Sequence, residues 1–213
     1  MSSSRPRRLA ALALLVFAHT VAADGPGSYS PAAARSFPEK TQQERAIDAY
    51  NEGYEHIQRA DDLATRGANG DDKAAKESQK TYKAALKKFS AAVKLDPTLH
   101  EAFTYIGYAN RKLGKHEESL AAYKRALELY PDYPPAIEYQ GEAFLGLNDI
   151  DAARTNYLRL YALDQGQAHK LLRAMKDWAV RNAASPPDGV DVAALRAWVA
   201  ERESAHDLLK AGW

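Results

Sequence analysis

The apolar positions between His100 and Tyr133 recur at spacings of three and four residues, which predicts two amphipathic helices in succession. In the first helix these positions are Phe103, Ile106, Tyr105 or Ala109, and Leu113, and in the second they are Leu120, Tyr123, Leu127 and Tyr130. Gly114 separates the two patterns, since glycine readily takes the left-handed conformation that ends a helix. Pro131 ends the second helix. The stretch is therefore predicted to be one helix–turn–helix.

The same spacing of apolar residues predicts a helix–turn–helix on each side of this stretch. Before it, Thr41 with Glu44 forms the pattern of a capping box for a helix that ends near Arg66. A second helix is expected from Asp71–Asp72 to Asp96–Pro97. After it, residues 134–164 repeat the plan, with a turn at Asn148–Asp149. The apolar positions outside the middle stretch are Ile47, Tyr50, Tyr54, Ile57, Ala64, Tyr82, Leu86, Phe89, Val93, Ile137, Gly141, Phe144, Leu147, Ala153, Tyr157, Leu160 and Leu163.

Two further amphipathic helices are predicted at the C-terminal end. The first runs from Gln167 to Ala184, the proline-rich stretch 185–189 interrupts the pattern, and the last begins near Asp191. Their apolar faces suit helices that cover the open end of an array. Trp178 and Trp198 are expected to join them, whereas Trp213 is either a packed plug or an exposed anchor.

Composition agrees with an all-α protein. The 213 residues are rich in helix-forming side chains and contain no cysteine. Disulfides, thiolate metal sites and cysteine nucleophiles are therefore excluded.

Residues 1–23 have the pattern of a secretory signal peptide. Arg5, Arg7 and Arg8 precede the apolar segment Leu9–Ala18, and small residues lead to a cleavage site after Ala23. The alternative is an uncleaved N-terminal anchor. The signal pattern is of the bacterial type and predicts a periplasmic protein. Residues 24–40 are predicted to form a flexible leader between the signal segment and the folded part.

The charge of the chain argues against nucleic-acid binding. The formal net charge is +1, and without the three arginines of the signal segment 26 basic residues face 28 acidic ones. A nucleic-acid-binding protein usually carries a concentrated basic face. The one basic cluster lies on the second predicted helix, at Lys73, Lys76, Lys80, Lys83, Lys87 and Lys88, and is either a solvated face or a contact for an acidic partner or anionic lipid.

Residues 100–133 resemble a tetratricopeptide repeat. The positions that carry the resemblance are Phe103, Ile106–Gly107, Ser119, Tyr123, Ala126 and Pro131. The following unit keeps Ile137, Gly141, Ala153 and Tyr157 but has Leu160 in place of a small residue. The resemblance implies an all-α array of about three helical hairpins over residues 41–165, with capping helices over residues 166–213.

The first unit carries the same signature in a longer segment. Its glycine, Gly53, precedes Gly107 by 54 residues, whereas Gly107 precedes Gly141 by 34. The additional 20 residues predict that both helices of the first hairpin are longer by about 10 residues, close to three turns.

The resemblance also implies a concave groove that binds a protein or peptide. The groove positions it implies are Tyr50, Tyr54, Glu101, Thr104, Tyr108, Arg111, Lys112, Glu138 and Glu142, together with the apolar Ile47, Ile57 and Leu145. Packing between helices is the alternative role for Tyr50 and Tyr54. Thr104 and Tyr108 stand where family members that clamp a carboxylate have lysine and asparagine, so clamp activity is not expected.

No catalytic, cofactor or metal motif accompanies the array. The chain lacks the GxSxG, P-loop, GxGxxG and HExxH patterns, and its six histidines show no paired helical spacing. The sequence therefore predicts a non-enzymatic periplasmic adaptor or scaffold without a cofactor. The alternatives are a homo-oligomer built through the long first hairpin or the cap, and a small-molecule or metal carrier.

Overall fold

The computed structural model describes residues 39–211, with side chains through Ser204. Within that range the chain forms helices and no strand. The predicted signal segment, nearly all of the leader and Trp213 lie outside the described residues. The helices are α1 (Gln42–Ala68), α2 (Asp72–Leu95), α3 (His100–Lys112), α4 (His116–Leu129), α5 (Pro134–Gly146), α6 (Ile150–Leu163), α7 (Gln165–Arg181) and α8 (Val192–Ala211).

The helix ends use the polar residues that the sequence indicates. The Thr41 hydroxyl accepts a hydrogen bond from the Glu44 N–H at 3.1 Å, and the Glu44 carboxylate accepts one from the Thr41 N–H at 2.8 Å. This capping box satisfies backbone donors that would otherwise have no partner. Gly114 has φ 76° at the turn between α3 and α4, as expected for a helix-ending glycine.

The helices form an inner row and an outer row. In the inner row α1 contacts α3, α3 contacts α5 and α5 contacts α7. In the outer row α2, α4 and α6 each pack against the preceding helix of their hairpin and against the helix that follows. The array is therefore a stack of helical hairpins, and α8 packs against α7 at its end.

Three glycines allow helices to approach closely. A Cβ atom at Gly53 would lie 2.8 Å from the Phe89 ring, and one at Gly107 would lie 2.4 Å from the Tyr123 ring. In the third unit the glycine faces a different neighbour, because a Cβ atom at Gly141 would lie 2.5 Å from Leu171 of α7. The third hairpin thus uses its glycine to bring α7 against α5.

The first hairpin is longer than the others, as its glycine spacing predicts. Helices α1 and α2 have 27 and 24 residues, against 13 and 14 in α3 and α4. At the far end of the hairpin a Cβ atom at Gly67 would lie 2.8 Å from Ala75, so the two helices remain in close contact.

The C-terminal helices cover the third hairpin. One apolar cluster joins α5 and α6 to α7 and α8, and its fully buried members include Ile137, Leu160, Leu171, Met175 and Leu195. The predicted capping role of α7 and α8 is confirmed, because these helices bury the apolar surface of α5 and α6.

The predicted apolar face of the middle hairpin needs correction at two positions. Tyr130 is 48% exposed because it follows α4 as its C-cap with an extended backbone, where helical periodicity no longer applies. Phe103 is only partly buried and lies under the Arg125 guanidinium, 5.8 Å from the ring centroid. The predicted core positions Tyr105 and Ala109 are both buried, at 6% and 0% exposure, and the Tyr105 ring stacks on Phe89.

Candidate partner-binding groove

A polar depression lies where α3, α5 and α7 meet on the inner row. Its volume is about 370 Å³. Its lining residues are Tyr108, Arg111, Lys112, Glu138, Tyr139, Glu142, Lys170, Arg173, Ala174 and Asp177. We call this depression the groove.

A buried ion pair forms the floor of the groove. The Arg111 guanidinium of α3 binds the Glu142 carboxylate of α5, and their side chains are 13% and 25% exposed. The guanidinium also lies over two tyrosine rings, 5.2 Å from the centroid of Tyr108 and 5.6 Å from that of Tyr139. Burial lowers the pKa of Arg111, but the charge of Glu142 opposes this and the net pKa is raised, so the cation is retained.

Glu138 lies one helical turn before Glu142 and is 2% exposed. Burial raises its pKa well above the usual value, and the charge of Glu142 and a hydrogen bond with it raise the pKa further. The positive charges of Arg111 and Lys170 oppose that shift. Two carboxyl groups beside one guanidinium favour a state in which Glu138 holds a proton.

The groove is linked to the first hairpin through Asp61. The Tyr108 hydroxyl lies 2.9 Å from both carboxylate oxygens of Asp61, to which it donates. The Tyr82 hydroxyl of α2 donates to the same carboxylate at 2.5 Å. Burial is the largest cause that raises the pKa of both phenols, and the bonds to Asp61 add to it. Both hydroxyls therefore stay protonated. The hydrogen bond to Asp61 orients Tyr108 at the edge of the groove.

The rim of the groove is mainly basic. Lys112, Lys170 and Arg173 are exposed, and Asp177 is the exposed acid among the lining residues. The Lys112 ammonium lies 5.5 Å from the Tyr108 ring centroid. A buried, internally neutralised floor with exposed cations around it favours an anionic group on a binding partner.

A second depression of about 370 Å³ adjoins the groove. It extends over Trp178 and Arg181 of α7, and the lining residues it shares with the groove are Arg111, Glu142, Ala174 and Asp177. His116 also lines it, packed so tightly that a Cβ atom at Gly146 would lie 2.3 Å from the imidazole. The two depressions together give a continuous surface along α7.

The structure brings together five of the residues assigned to the groove by resemblance. These are Tyr108, Arg111, Lys112, Glu138 and Glu142. Tyr54 is half-buried, with its ring edge-on to Tyr105 at 5.3 Å. Glu101 is half-buried beside His100, with 3.2 Å between the carboxylate and Nδ1.

Two assigned residues lie in the core. Tyr50 is 3% exposed and packs its ring against Phe89 and Tyr105. Thr104 is 1% exposed, and its hydroxyl donates to the His100 carbonyl at 2.9 Å. Neither side chain presents surface to a partner, so both are left out of the groove. Of the apolar groove positions, Ile57 and Leu145 are likewise buried, at 3% and 4% exposure.

The groove also includes residues that the sequence reasoning missed. Tyr139 follows Glu138 and precedes Glu142 by three, so helical spacing on α5 could have indicated it. Lys170, Arg173 and Asp177 lie on α7, which the sequence indicated only as a cap. Asp61 gave no signal, because its contact with Tyr108 spans 47 residues of chain.

The described part of the chain contains neither a metal-ligand cluster nor a helix suited to span a membrane. No group of three or more histidine or acidic side chains there could hold a metal ion. No helix within residues 39–211 has the length and apolar character needed to cross a membrane.

Comparison with known proteins agrees with the helical hairpins. Residues 100–133 match the family model described as tetratricopeptide repeat. The chain contains a tetratricopeptide repeat. It is 37% identical over 59 residues to the small glutamine-rich tetratricopeptide repeat-containing protein 2 of Saccharomyces cerevisiae, covering 28% of this chain and 17% of that protein.

Two further similarities extend beyond this repeat. The chain is 30% identical over 106 residues to the Hsp70-Hsp90 organizing protein of Triticum aestivum, covering 50% of this chain and 18% of the relative. It is 33% identical over 72 residues to tetratricopeptide repeat protein 37 of Xenopus laevis, covering 34% of this chain and 5% of the relative. The chain thus spans less than a fifth of the length of each of these three relatives.

Two solved structures of helical repeat proteins are similar to this chain. One is the first TPR of Spaghetti (RPAP3) bound to the HSP90 peptide SRMEEVD, with 21% identity, TM-score 0.43, and coverage of 58% of this chain and 95% of that chain. The other is MamA protein, with 18% identity, TM-score 0.44, and coverage of 74% of this chain and 87% of that chain.

Proposed function

We propose that this protein is a non-enzymatic adaptor that binds a segment of another protein in the groove between α3, α5 and α7. The observation that carries the proposal is the buried cluster of Arg111, Glu142 and Glu138 beneath an open, basic rim. The cluster draws its groups from two helices and holds them before any partner arrives. A preformed site reduces the ordering cost of binding.

The groove surface has the side chains that suit protein recognition. Tyr108 and Tyr139 supply rigid rings with few torsions, and the Arg111 guanidinium lies over both rings. Tyrosine and arginine are enriched at protein–protein interfaces for this reason. The relatives named for tetratricopeptide repeats and for organising Hsp70 with Hsp90 support a role in bringing proteins together.

The rim defines the chemistry of the segment that would bind. Exposed Lys112, Lys170 and Arg173 face it from two helices, so we expect acidic side chains in the partner. Asp177 would then pair with a basic group at one end of the bound segment. Charge on the rim is expected to act mainly on association rate and specificity.

The proposal includes export to the periplasm. Its support is the pattern of residues 1–23, with three arginines before an apolar segment and small residues at the cleavage site. The measurement is the N-terminal sequence of the mature protein recovered from the source cells. Asp24 is the expected first residue, and a chain retained with Leu9–Ala18 at its N-terminus would contradict export with cleavage.

The groove is tested by site-specific crosslinking followed by a binding measurement. A photoreactive residue at Lys112 in the groove should capture a partner in cells, whereas one at Lys124 on α4 should not. The captured protein is then purified, and its affinity is measured by isothermal titration calorimetry. Reversing the rim charges with Lys112→Glu, Lys170→Glu and Arg173→Glu should weaken binding by 10-fold or more, since like charges would face the partner.

The matched control reverses three lysines outside the groove. Lys115→Glu, Lys124→Glu and Lys176→Glu change the net charge by the same amount. This control should bind the captured protein within about threefold of wild type. Equal affinity of the rim variant and wild type would refute the groove assignment.

A further inference from the structure

The exposed face of α2 is a row of lysines. Its members are Lys73, Lys76, Lys80, Lys83, Lys87 and Lys94, and all six are exposed. Their spacings of three, four, three, four and seven residues keep them on one side of the helix. We call these six residues the lysine row. At 1.5 Å per residue the row extends over about 30 Å.

The lysine row is largely unneutralised by the described side chains. One ion pair reaches it, from Glu77 to Lys80 at 3.6 Å. Lys88 lies off the row and binds Glu52 of α1 instead. The formal charge of the whole chain is only +1, so the positive charge is concentrated on this face.

The opposite face of α2 is buried in the core. Tyr82, Ala85 and Phe89 are buried against α1 and α3. The lysines therefore line the outer surface of the hairpin, where no described helix covers them and no groove encloses them. A single straight helix face meets a flat surface along its whole length more readily than it encloses a flexible chain.

We propose that the lysine row docks the protein on an anionic lipid bilayer. A plane of negative headgroups can contact all six ammonium groups at once. Lysine suits contact with a plane of lipid headgroups, because its ammonium group is a mobile point charge. Arginine instead recognises individual carboxylates and phosphates with a rigid planar group. Each basic residue close to such a surface strengthens binding about fivefold.

This docking is peripheral and reversible. Between the lysines the exposed positions of α2 are Gln79 and Ala91, which offer no large apolar side chain for insertion into the bilayer. The attraction is then electrostatic and declines within a Debye length, about 10 Å at 0.1 M salt. The proposal goes beyond the proposed function, because the groove is built by α3, α5 and α7 and stays free when α2 lies on the bilayer.

The test measures sedimentation of the protein with lipid vesicles. The chain from Asp24 is used, because it keeps every described helix and lacks the apolar segment Leu9–Ala18. Vesicles of 30% phosphatidylglycerol in phosphatidylcholine should bind it at 50 mM salt, and 0.5 M salt should release it. Vesicles of phosphatidylcholine alone should not bind it.

The lysine variant combines Lys76→Gln, Lys80→Gln and Lys83→Gln. Three losses of about fivefold each should lower the partition coefficient by about 100-fold. The control variant combines Lys115→Gln, Lys124→Gln and Lys176→Gln, which removes the same charge from other helices. It should stay within about threefold of wild type.

Three results would overturn the proposal. One is the absence of binding to the anionic vesicles at low salt. Another is an equal loss in the lysine variant and the control variant, which would mean that only net charge matters. The third is binding of soluble poly-glutamate that depends on the lysine row and prevents vesicle binding at equal charge concentration, which would identify an acidic polypeptide as the occupant. Circular dichroism establishes that each variant is folded.

Discussion

Glu138 and Glu142 lie one helical turn apart on α5, and Arg111 of α3 is the cation that binds between the helices. Replacing Arg111 or Glu142 would leave the other charge without its partner in a mostly buried site, and breaking a fully buried pair typically costs about 3–5 kcal/mol. The cluster is therefore a means of fixing the distance between α3 and α5. The cluster requires that the Glu138 carboxyl group keep its proton as the pH rises.

Glu138 should make the stability of the protein pH-dependent. Burial is the main cause that raises its folded-state pKa above the usual value of 4.5. The stability that it contributes is present below pH 4.5 and is lost as the pH rises through the folded-state pKa. In the Glu138→Gln variant the side chain at this position is neutral at every pH. The free energy of unfolding of the variant should therefore fall less than that of wild type between pH 4.5 and pH 8. Urea denaturation across this range measures the difference.

The control for this prediction is Glu117→Gln, which alters an exposed carboxylate on α4. Its pH profile should run parallel to that of wild type. A Glu138→Gln profile that is also parallel to wild type would show that Glu138 is ionised in the folded protein throughout the range.

One carboxylate in the extended part of the first hairpin adds hydrogen bonds to the packing that joins this hairpin to the next. Asp61 accepts hydrogen bonds from Tyr82 within the hairpin and from Tyr108 on the next one. It lies eight residues after Gly53, in the part of α1 that has no counterpart in α3. The extension is thus fastened beside the groove, and its position affects the orientation of Tyr108.

Asp61→Ala should loosen the far end of the hairpin. Two partly buried phenol hydroxyls would lose their acceptor, and an unpaired buried group typically costs about 1–3 kcal/mol. Hydrogen exchange should accelerate in α1 after Gly53 and in α2 before Tyr82. Asp62→Ala is the matched control, because the neighbouring carboxylate is exposed. Equal exchange in the two variants would mean that Asp61 does not hold the hairpin.

The whole molecule is stabilised by nearest-neighbour packing along the array. Each hairpin buries its apolar surface against the next, and the last one against α7 and α8. In such an arrangement stability is close to a sum of local contributions and interfaces. The C-terminal helices therefore serve two purposes, since α7 closes the core and also supplies Lys170 and Arg173 to the groove rim.

Leu171 should be critical at the interface between the array and its cap. It is fully buried, and its side chain occupies the space left by the missing Cβ of Gly141. Leu171→Ala should lower the free energy of unfolding by about 2–5 kcal/mol. The melting temperature should fall by roughly 5–15 °C for a chain of this size. Differential scanning calorimetry measures both quantities.

Leu158→Ala is the corresponding control on α6, where the leucine is 57% exposed. It makes the same chemical change and should alter stability by no more than about 0.5 kcal/mol. Similar melting temperatures for the two variants would show that α7 contributes little to the core.

Local pattern in the sequence was enough to locate the helices, their caps and the unequal length of the hairpins. Helical periodicity and the Gly53, Gly107 and Gly141 spacing depend on residues near one another in the chain, where backbone geometry limits the possibilities. The resemblance to a tetratricopeptide repeat, and not periodicity alone, indicated Tyr108, Arg111 and Glu142 for the groove, because it implies which face of each first helix lines the groove.

Contacts between distant segments could not be inferred in this way. Tyr50 and Thr104 were assigned to the same helical faces as the residues that line the groove, and only the packing of adjacent helices buries them. Asp61 reaches Tyr108 because the hairpin folds back beside α3, and Lys170 reaches the rim because Gly141 admits α7. These outcomes depend on how close two helices approach, which is set by the side chains of both.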